Sequence, residues 1–380
     1  MELSPHQTQR LEEILAWYKQ KDSSVFVLGG LAGTGKTTLI SQLLNADNVN
    51  KLTGELNTIV VSAFTGKAVN TLIEKGVTNA VTLHKLLYVT RAIKDKDGNV
   101  IDMVHEPKGK IPEISMIIVD EASMVDNEIY DLLTMHSKHG IKVLLVGDIG
   151  QLPPVSNDPK IMQKPNSVLK EIHRQALESD IIRFAHFIRE GNRVRDFEKN
   201  NAGEVYIKHP TLDELATADQ VLCGFNKTRV RINTSLREEK YGADPDLIEM
   251  GDKLVCLMNS KKYRVYNGTL GTVHLIHKVD EKRDMAVLDM EVNGVIIKEV
   301  KMSLKCFNNK KGLQPKDFVK GKTHWDYGYC LTTHKSQGSE WDKVVVIEEQ
   351  YAEYWEAKRW NYTAVTRAKK KLMFAPGSSW

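Results

Sequence analysis

The chain has 380 residues, enough for two or three domains, each with its own apolar core. Hydrophobic residues make up 41% and charged residues 27%, the balance of a soluble globular protein, which excludes a disordered or fibrous chain. The net charge is only +4, from 53 Lys and Arg against 49 Asp and Glu, so any nucleic-acid surface must come from local segregation of charge. The four cysteines, Cys223, Cys256, Cys306 and Cys330, are too widely spaced for paired zinc ligands and read as free thiols of a reducing cytoplasm. The N-terminus carries no apolar signal core, and no apolar run approaches a membrane span. The expected setting is therefore cytoplasmic, with no membrane partner.

In chain order, Ser4-Pro5-His6-Gln7 opens the first helix as a capping box, and Leu11, Ile14, Leu15 and Tyr18 share one face of it. Gln7 has two readings: it caps that helix, or it presents its amide to adenine in the bidentate pairing that geometry favours. Short apolar runs then recur at 25–28, 58–61, 116–119, 142–146, 220–222, 343–347 and 372–374. Strands buried on both faces read this way, and amphipathic stretches lie between them, as with Ile181, Phe184, Ala185 and Ile188. The alternation predicts α/β layers with parallel sheets.

Directly after the run 25–28 comes GLAGTGKTT, Gly30 to Thr38, with Gly30, Gly35, Lys36 and Thr37 at the fixed positions of a phosphate-binding loop. Glycines at Gly30, Gly33 and Gly35 let backbone N–H groups approach phosphate oxygens, and Thr34 and Thr38 belong to the same cradle. Lys36 is expected at the β- and γ-phosphates of ATP, and the Thr37 hydroxyl at Mg²⁺. The segment 89–106 breaks the α/β pattern: Asp97-Gly98 sits between two β-compatible arms and predicts a hairpin. At 116–123, Asp120 ends an apolar run where a carboxylate can meet the metal, and Glu121 beside it suits a general base for water. At 144–155, Gln151 either contacts the γ-phosphate and the water or caps a surface turn. Residues 251–297 hold short strands with Gly and Asn turns, which predict a small all-β unit. The basic stretch 308–322 reads as a loop.

These elements resemble, in order and wording, the superfamily 1 helicases of the RecD/Dda group, with Dda-type phage helicases the closest in size. Gln7 corresponds to the family's Q motif. SAFTGKAVNTL (62–72) is similar to motif Ia, TLHKLL (82–87) to the next DNA-contact motif, and DEAS and GDIGQLPPV to motifs II and III. EIHRQALESDII (171–182) resembles motif IV, YCLTTHKSQGSEWDKVVV (329–346) motif V, and YTAVTRAKKKL (362–372) motif VI. The resemblance covers essentially the whole chain. It implies two RecA-like domains with ATP in the cleft between them, a β-hairpin pin inserted in the first and a small Src-homology-3-type barrel inserted in the second. The expected partition is 1–88 and 112–156 for the first domain, 89–111 for the pin, 157–243 and 326–380 for the second domain, and 244–325 for the barrel.

By the same resemblance, Arg174 and Arg367 reach the γ-phosphate from the second domain, and Glu340 links motif V to the nucleotide. Arg367 could otherwise be a surface cation of the run RAKKK. Phe64, Thr65, Lys67 and His84 would grip DNA from the first domain, and Thr333, His334 and Lys335 from the second, through largely sequence-independent contacts. Phe64 either stacks on a base or packs into the core. Asn267 belongs to a turn recurring in this group, and Trp325 and Tyr327 are candidate bracing or DNA-contact residues. The implied activity is an ATP- and Mg²⁺-dependent DNA helicase acting on single-stranded and forked DNA, 5′ to 3′ by family, in a bacterial or phage-infected cytoplasm. A single chain would suffice as a monomer. A DNA-stimulated translocase without intrinsic unwinding is the alternative.

Overall fold

The computed structural model describes all residues except 1–2, 56–57, 95–99, 112, 155–157, 174–175, 177, 201–202, 244–246, 261, 264, 309–320, 350–353 and 378–380. The chain divides into two compact units, residues 1–177 and 178–380. Each is built on a parallel sheet, as the doubly buried apolar runs predict.

In the first unit, strands β1 (Val25–Gly30), β2 (Ile59–Ala63), β3 (Ala80–Thr82), β6 (Met116–Asp120), β7 (Lys142–Asp148) and β8 (Ser167–Leu169) lie in the order β3-β2-β6-β7-β1-β8, all parallel. Alternation along β6 shows how both faces are filled. Met116 and Ile118 join one core with Leu11, Ile14 and Trp17 of α1 (Pro5–Tyr18) and Leu39 and Leu43 of α2 (Lys36–Leu43). Ile117 and Val119 join the other with Leu86 of α5 (Leu83–Leu87) and Ile129 and Leu133 of α6 (Asn127–Lys138). Each such fully buried apolar side chain contributes about 1.5–3 kcal/mol. Helices α3 (Ala46–Leu52) and α4 (Gly66–Glu74) complete the flanks. The expected hairpin is present as β4 (Tyr88–Lys94) and β5 (Val100–Pro107), paired antiparallel from Tyr88↔Pro107 to Lys94↔Val100. Its turn, including Asp97-Gly98, lies outside the described residues.

In the second unit, β9 (Val205–Ile207), β10 (Gln220–Cys223), β16 (Cys330–Thr332), β17 (Trp341–Ile347) and β18 (Ala368–Ala375) form a parallel sheet in the order β16-β10-β17-β18-β9. Helices α7 (Asp180–Arg189), α8 (Leu212–Ala216), α9 (Asn226–Tyr241), α10 (Thr333–Ser336) and α11 (Tyr354–Val365) accompany it. Inserted between α9 and β16, β11 (Lys253–Cys256), β12 (Leu270–Asp280), β13 (Met285–Val292), β14 (Val295–Ser303) and β15 (Thr323–Tyr327) close into a barrel.

Two of the sequence boundaries, and one expected role, differ from the structure. The first unit runs to residue 177, not 156, because β8 extends its sheet: Leu28↔Ser167 and Gly30↔Leu169 are paired. A three-residue strand carries too little apolar pattern to be seen in the sequence. The barrel runs to Tyr327 rather than 325, because β15 pairs with β11 through Leu254↔Tyr327. Trp325 and Tyr327 are not DNA contacts, since both are about 1% exposed in the barrel core. The Trp325 indole donates to Thr323 Oγ1 at 3.0 Å, and the Tyr327 hydroxyl donates to the Leu247 carbonyl. Among the described residues, no helix is long and apolar enough to cross a membrane.

Candidate nucleotide site and nucleic-acid segments

The C-terminal ends of three neighbouring strands, β1, β7 and β6, meet at one edge of the first sheet, where open α/β sheets bind ligands. The loop after β1 turns on Gly33 and Gly35, at φ +80° and +78°, a region that costs any other residue strain. Gly35 is the N-cap of α2 and provides no side-chain cap, so it leaves the first N–H groups of α2 without a side-chain acceptor from the cap position. A Cβ on Gly35 would come within 2.2 Å of Gln7 Nε2 and 2.6 Å of His173 Nε2, and one on Gly30 within 2.7 Å of Thr34 Oγ1. The loop is thus packed tightly from behind. The Thr34 hydroxyl donates to the Leu31 carbonyl at 2.8 Å, while Thr37 and Thr38 sit half-buried in the first turn of α2. The Lys36 ammonium donates to the Gly30 and Leu31 carbonyls at 3.1 and 3.0 Å and lies 3.6 Å from the Asp148 carboxylate.

Asp148 ends β7 and is 1% exposed; it accepts from the Gly150 N–H at 2.8 Å. Its place in GDIGQ was visible, but nothing local in the sequence says that it faces Lys36. Asp120 ends β6 and accepts from the Glu121 N–H at 2.9 Å. Burial raises the Asp120 carboxyl above its ordinary range, against the opposing pull of that N–H and of the Lys36 ammonium. A divalent cation beside Asp120 would favour its ionised form. Glu121 holds φ +54°, a left-handed conformation that costs about 1 kcal/mol or more for a residue with a Cβ. That strain turns its backbone sharply at the strand end.

Gln151 is 5% exposed and accepts from the Ser123 hydroxyl at 3.4 Å, tying the segment after β7 to the segment after β6. It is not a surface cap. For Gln7 the capping reading is realised: the Ser4 N–H donates to Gln7 Oε1 at 3.1 Å, and the Gln7 N–H donates to Ser4 Oγ at 3.2 Å. The remaining amide nitrogen donates to the Thr34 carbonyl at 3.4 Å, so the residue fixes α1 against the phosphate loop. His173 does the same from the other side, its N–H donating to the Gly33 carbonyl at 3.1 Å. Arg174 lies outside the described residues.

The segment expected to touch DNA begins one residue beyond Ala63, which is paired with Asp120 across β2 and β6. Phe64 is half-buried against the core, with its ring edge-on to exposed His84 at 5.7 Å, and His84 stacks on Tyr88 at 5.7 Å. Tyr88, which the motifs did not single out, extends this row of rings, and its hydroxyl donates to Glu128 at 2.5 Å. The Thr65 hydroxyl oxygen accepts from the Ala68 N–H at 3.2 Å and caps α4. The Lys67 side chain lies outside those described. A cavity of about 380 Å³, lined by Tyr18, Ile111, Ser115, His136 and His139 among others, lies at the opposite edge of the sheet and holds none of the predicted residues.

In the second unit, Thr333 does not serve as a DNA contact: it is fully buried and its hydroxyl donates to the Cys223 carbonyl at 3.4 Å. His334 is half-buried, and burial holds its imidazole below the usual range and hence neutral. Lys335 donates to the Asn267 side-chain oxygen of the barrel. Arg367 is no surface cation. It is 3% exposed and donates to the Thr363 carbonyl at 3.0 Å, the Ser339 carbonyl at 3.1 Å and Thr366 Oγ1 at 3.1 Å. Glu340 is exposed in the loop between α10 and β17.

A family profile described as an AAA domain matches residues 2–208, and one described as a UvrD-like helicase C-terminal domain matches 327–375. The ATP-dependent RecD2 DNA helicase of Deinococcus radiodurans is 28% identical over 379 residues, covering 93% of this chain and 47% of that one. The chain thus spans about half the length of that relative. The ATP-dependent DNA helicase Pif1 of Campylobacter jejuni is 24% identical over 88% of this chain and 84% of its own. Among solved structures, a Pif1 helicase studied for unwinding at forked DNA matches with TM-score 0.58 at 20% identity, covering 100% of this chain and 93% of that one. Pif1 from Candida albicans matches with TM-score 0.55 at 20% identity over 100% of this chain and 96% of its own. The fold is therefore that of the Pif1 helicases, mixed α/β on parallel sheets, and the chain belongs to the AAA-domain family, in the RecD/Pif1 type of superfamily 1B.

Proposed function

We propose that the chain is an ATP-driven motor that translocates on single-stranded DNA and unwinds duplex DNA. One observation carries the reading: the sheet edge where Lys36, Asp148, Asp120 and Glu121 gather adjoins, through the Ala63↔Asp120 pair, the segment of Phe64 and Thr65. A change at the nucleotide edge is thereby one strand away from a candidate nucleic-acid contact.

In this reading the uncapped N–H groups of α2 and the Lys36 ammonium bind the phosphates of ATP. Thr37 and Asp120 would hold Mg²⁺, which when bound supplies positive charge to the phosphate oxygens. Glu121 accepts the proton of the attacking water, whose oxygen bonds to the γ-phosphorus while the bond to the β–γ bridging oxygen breaks. Gln151, joined to Ser123 beside that base, orients the water. By resemblance, Arg174 and Arg367 offset γ-phosphate charge, each worth about 10³–10⁵ in rate for such a residue. Glu340 belongs to the same link. The ring row Phe64–His84–Tyr88 offers stacking surface to bases in any sequence. The hairpin β4–β5 acts as the pin that splits the fork, and the barrel is the Src-homology-3-type insert. Polarity 5′ to 3′ rests on the resemblance. Four buried free cysteines suit a reducing cytoplasm, and one chain carries both units, so a monomer suffices.

Forked DNA with either a 5′ or a 3′ tail, incubated with and without ATP and Mg²⁺, tests the proposal. Strand separation from the 5′-tailed fork alone is expected; no separation from either fork, with DNA-stimulated hydrolysis intact, leaves the translocase reading. Deleting residues 92–103 should abolish unwinding and spare DNA-stimulated hydrolysis; if both persist, the hairpin is not the pin. Glu121→Gln should slow hydrolysis about 10²–10⁴-fold while a fluorescent ATP analogue still binds. Undiminished turnover would place the base elsewhere.

A further inference from the structure

Lys335 sits where the inserted barrel meets the second sheet. It follows His334 on the short helix α10, and its ammonium donates to the Asn267 side-chain oxygen. The turn that carries Asn267 is fixed by its own backbone bonds. The Asn267 N–H donates to Asn259 Oδ1 at 2.8 Å, and the Gly268 N–H donates to the Cys256 carbonyl at 2.8 Å. The Thr269 N–H donates to the Tyr266 carbonyl at 2.9 Å, the Tyr266 N–H donates to Thr269 Oγ1 at 3.1 Å, and Gly268 supplies the φ of +86° that closes the turn. The barrel itself is fastened to α9 by two buried ion pairs on one helix face: Arg229 with Asp326 at 2.6 Å and Arg237 with Asp252 at 2.9 Å. A turn with this many bonds, on a barrel so anchored, is a rigid acceptor.

We propose that Asn267 is a positioning residue: it holds the Lys335 ammonium for contact with a nucleic-acid phosphate, so that the barrel and the second sheet grip the strand as one body. The proposal rests on the reading of Lys335 as a DNA contact. A long lysine side chain loses rotamer freedom when it binds a phosphate, and a fixed neighbour that has already removed that freedom strengthens the contact. An amide oxygen suits the role better than a carboxylate, because it aligns the ammonium and leaves its charge for the phosphate.

The surroundings of Lys335 give the proposal its own signature. Cys256 from β11, Asp326 from β15 and Arg229 from α9 act on it electrostatically, with neutral His334 preceding it in its own helix. Burial, aided by Arg229 and opposed by Cys256 and Asp326, brings the Lys335 ammonium down to about 8. The cation is present below that pH and is lost as pH rises through it, so affinity for DNA should fall across the same range.

Binding of a short fluorescent oligo-dT by the full chain, measured from pH 6.5 to 9.5 at fixed salt, tests this. Asn267→Ala and Lys335→Ala should each weaken affinity at pH 7 by about tenfold, and the double variant should be no weaker than Lys335→Ala alone. The pH midpoint should move down in Asn267→Ala, which loses a partner of the cation, and up in Asn267→Asp, which adds a charge beside it. Opposite shifts are not expected from loosened packing, and the Asp variant keeps a side chain of the same size for the turn. Effects that multiply in the double variant, or a midpoint that stays put in both Asn267 variants, overturn the positioning role. Unchanged affinity in Lys335→Ala overturns the DNA-contact reading beneath it, and the proposal with it.

Discussion

Lys36→Ala is expected to lower DNA-stimulated phosphate release by at least about 10²–10³-fold, while oligo-dT binding without nucleotide stays near that of the native chain. The ammonium belongs to the first residue of α2 and is set between the Gly30 and Leu31 carbonyls and the buried Asp148 carboxylate. Alanine removes both the charge offered to the phosphates and the cation beside Asp148. The second loss bears on folding, so Lys36→Met, which keeps most of the stem, serves as the companion variant. Steady-state phosphate release and a thermal melt separate the two effects: loss of turnover in a variant that melts normally locates the defect at the site. Unchanged turnover in both variants would remove the phosphate-loop assignment and, with it, the proposed motor.

Asp252→Ala is expected to cost about 3–5 kcal/mol of stability, the range for breaking one partner out of a buried ion pair. Arg237 donates to both carboxylate oxygens, at 2.9 and 3.0 Å, and the two side chains are 6% and 0% exposed. The Tyr329 hydroxyl donates to the same carboxylate at 3.0 Å and the Glu249 N–H at 2.8 Å, while the Arg237 guanidinium lies 4.3 Å from the Tyr327 ring centroid. Alanine strips all of these of their acceptor at the junction of α9 and the barrel. The melting temperature should fall on the order of 10 °C, since about 2–4 °C is lost per kcal/mol in a unit of this size. Replacing both partners at once, Arg237→Met with Asp252→Leu, should recover much of it, because the cost lies in stranding a buried charge rather than in losing the pair. A fall of a degree or two in Asp252→Ala would mean that water reaches the pair and screens it.

The glycine-rich loop and the acidic strand ends beside it were legible because their signals are local. GLAGTGKTT needs one strand before it and one helix after it, and an acid at the end of an apolar run announces a strand end. The hairpin and the barrel were legible for the same reason, as changes of hydrophobic period with turn residues between them. The two readings of Gln7 were not separable in sequence, because a capping box and an exposed amide use the same letters. The structure forms the capping box and rests the amide nitrogen on the Thr34 carbonyl. Thr333 looked like a polar contact in a polar motif, yet the approach of β10 to α10 puts it against the Cys223 carbonyl, away from solvent.

By itself, then, the sequence determined the longer buried strands of both sheets, where the glycine-rich loop and the acidic residues after β6 sit, and that two smaller elements interrupt the α/β pattern. These follow from periodicity and turn chemistry within a dozen residues. Tertiary structure alone decided that β8 belongs to the first sheet, that Asp148 faces Lys36, that Arg367 is buried, and that Lys335 meets Asn267 across 68 residues of chain. Those outcomes depend on strand order and on which buried polar groups find partners. Both are set by long-range pairing, which leaves no periodic trace in the local sequence.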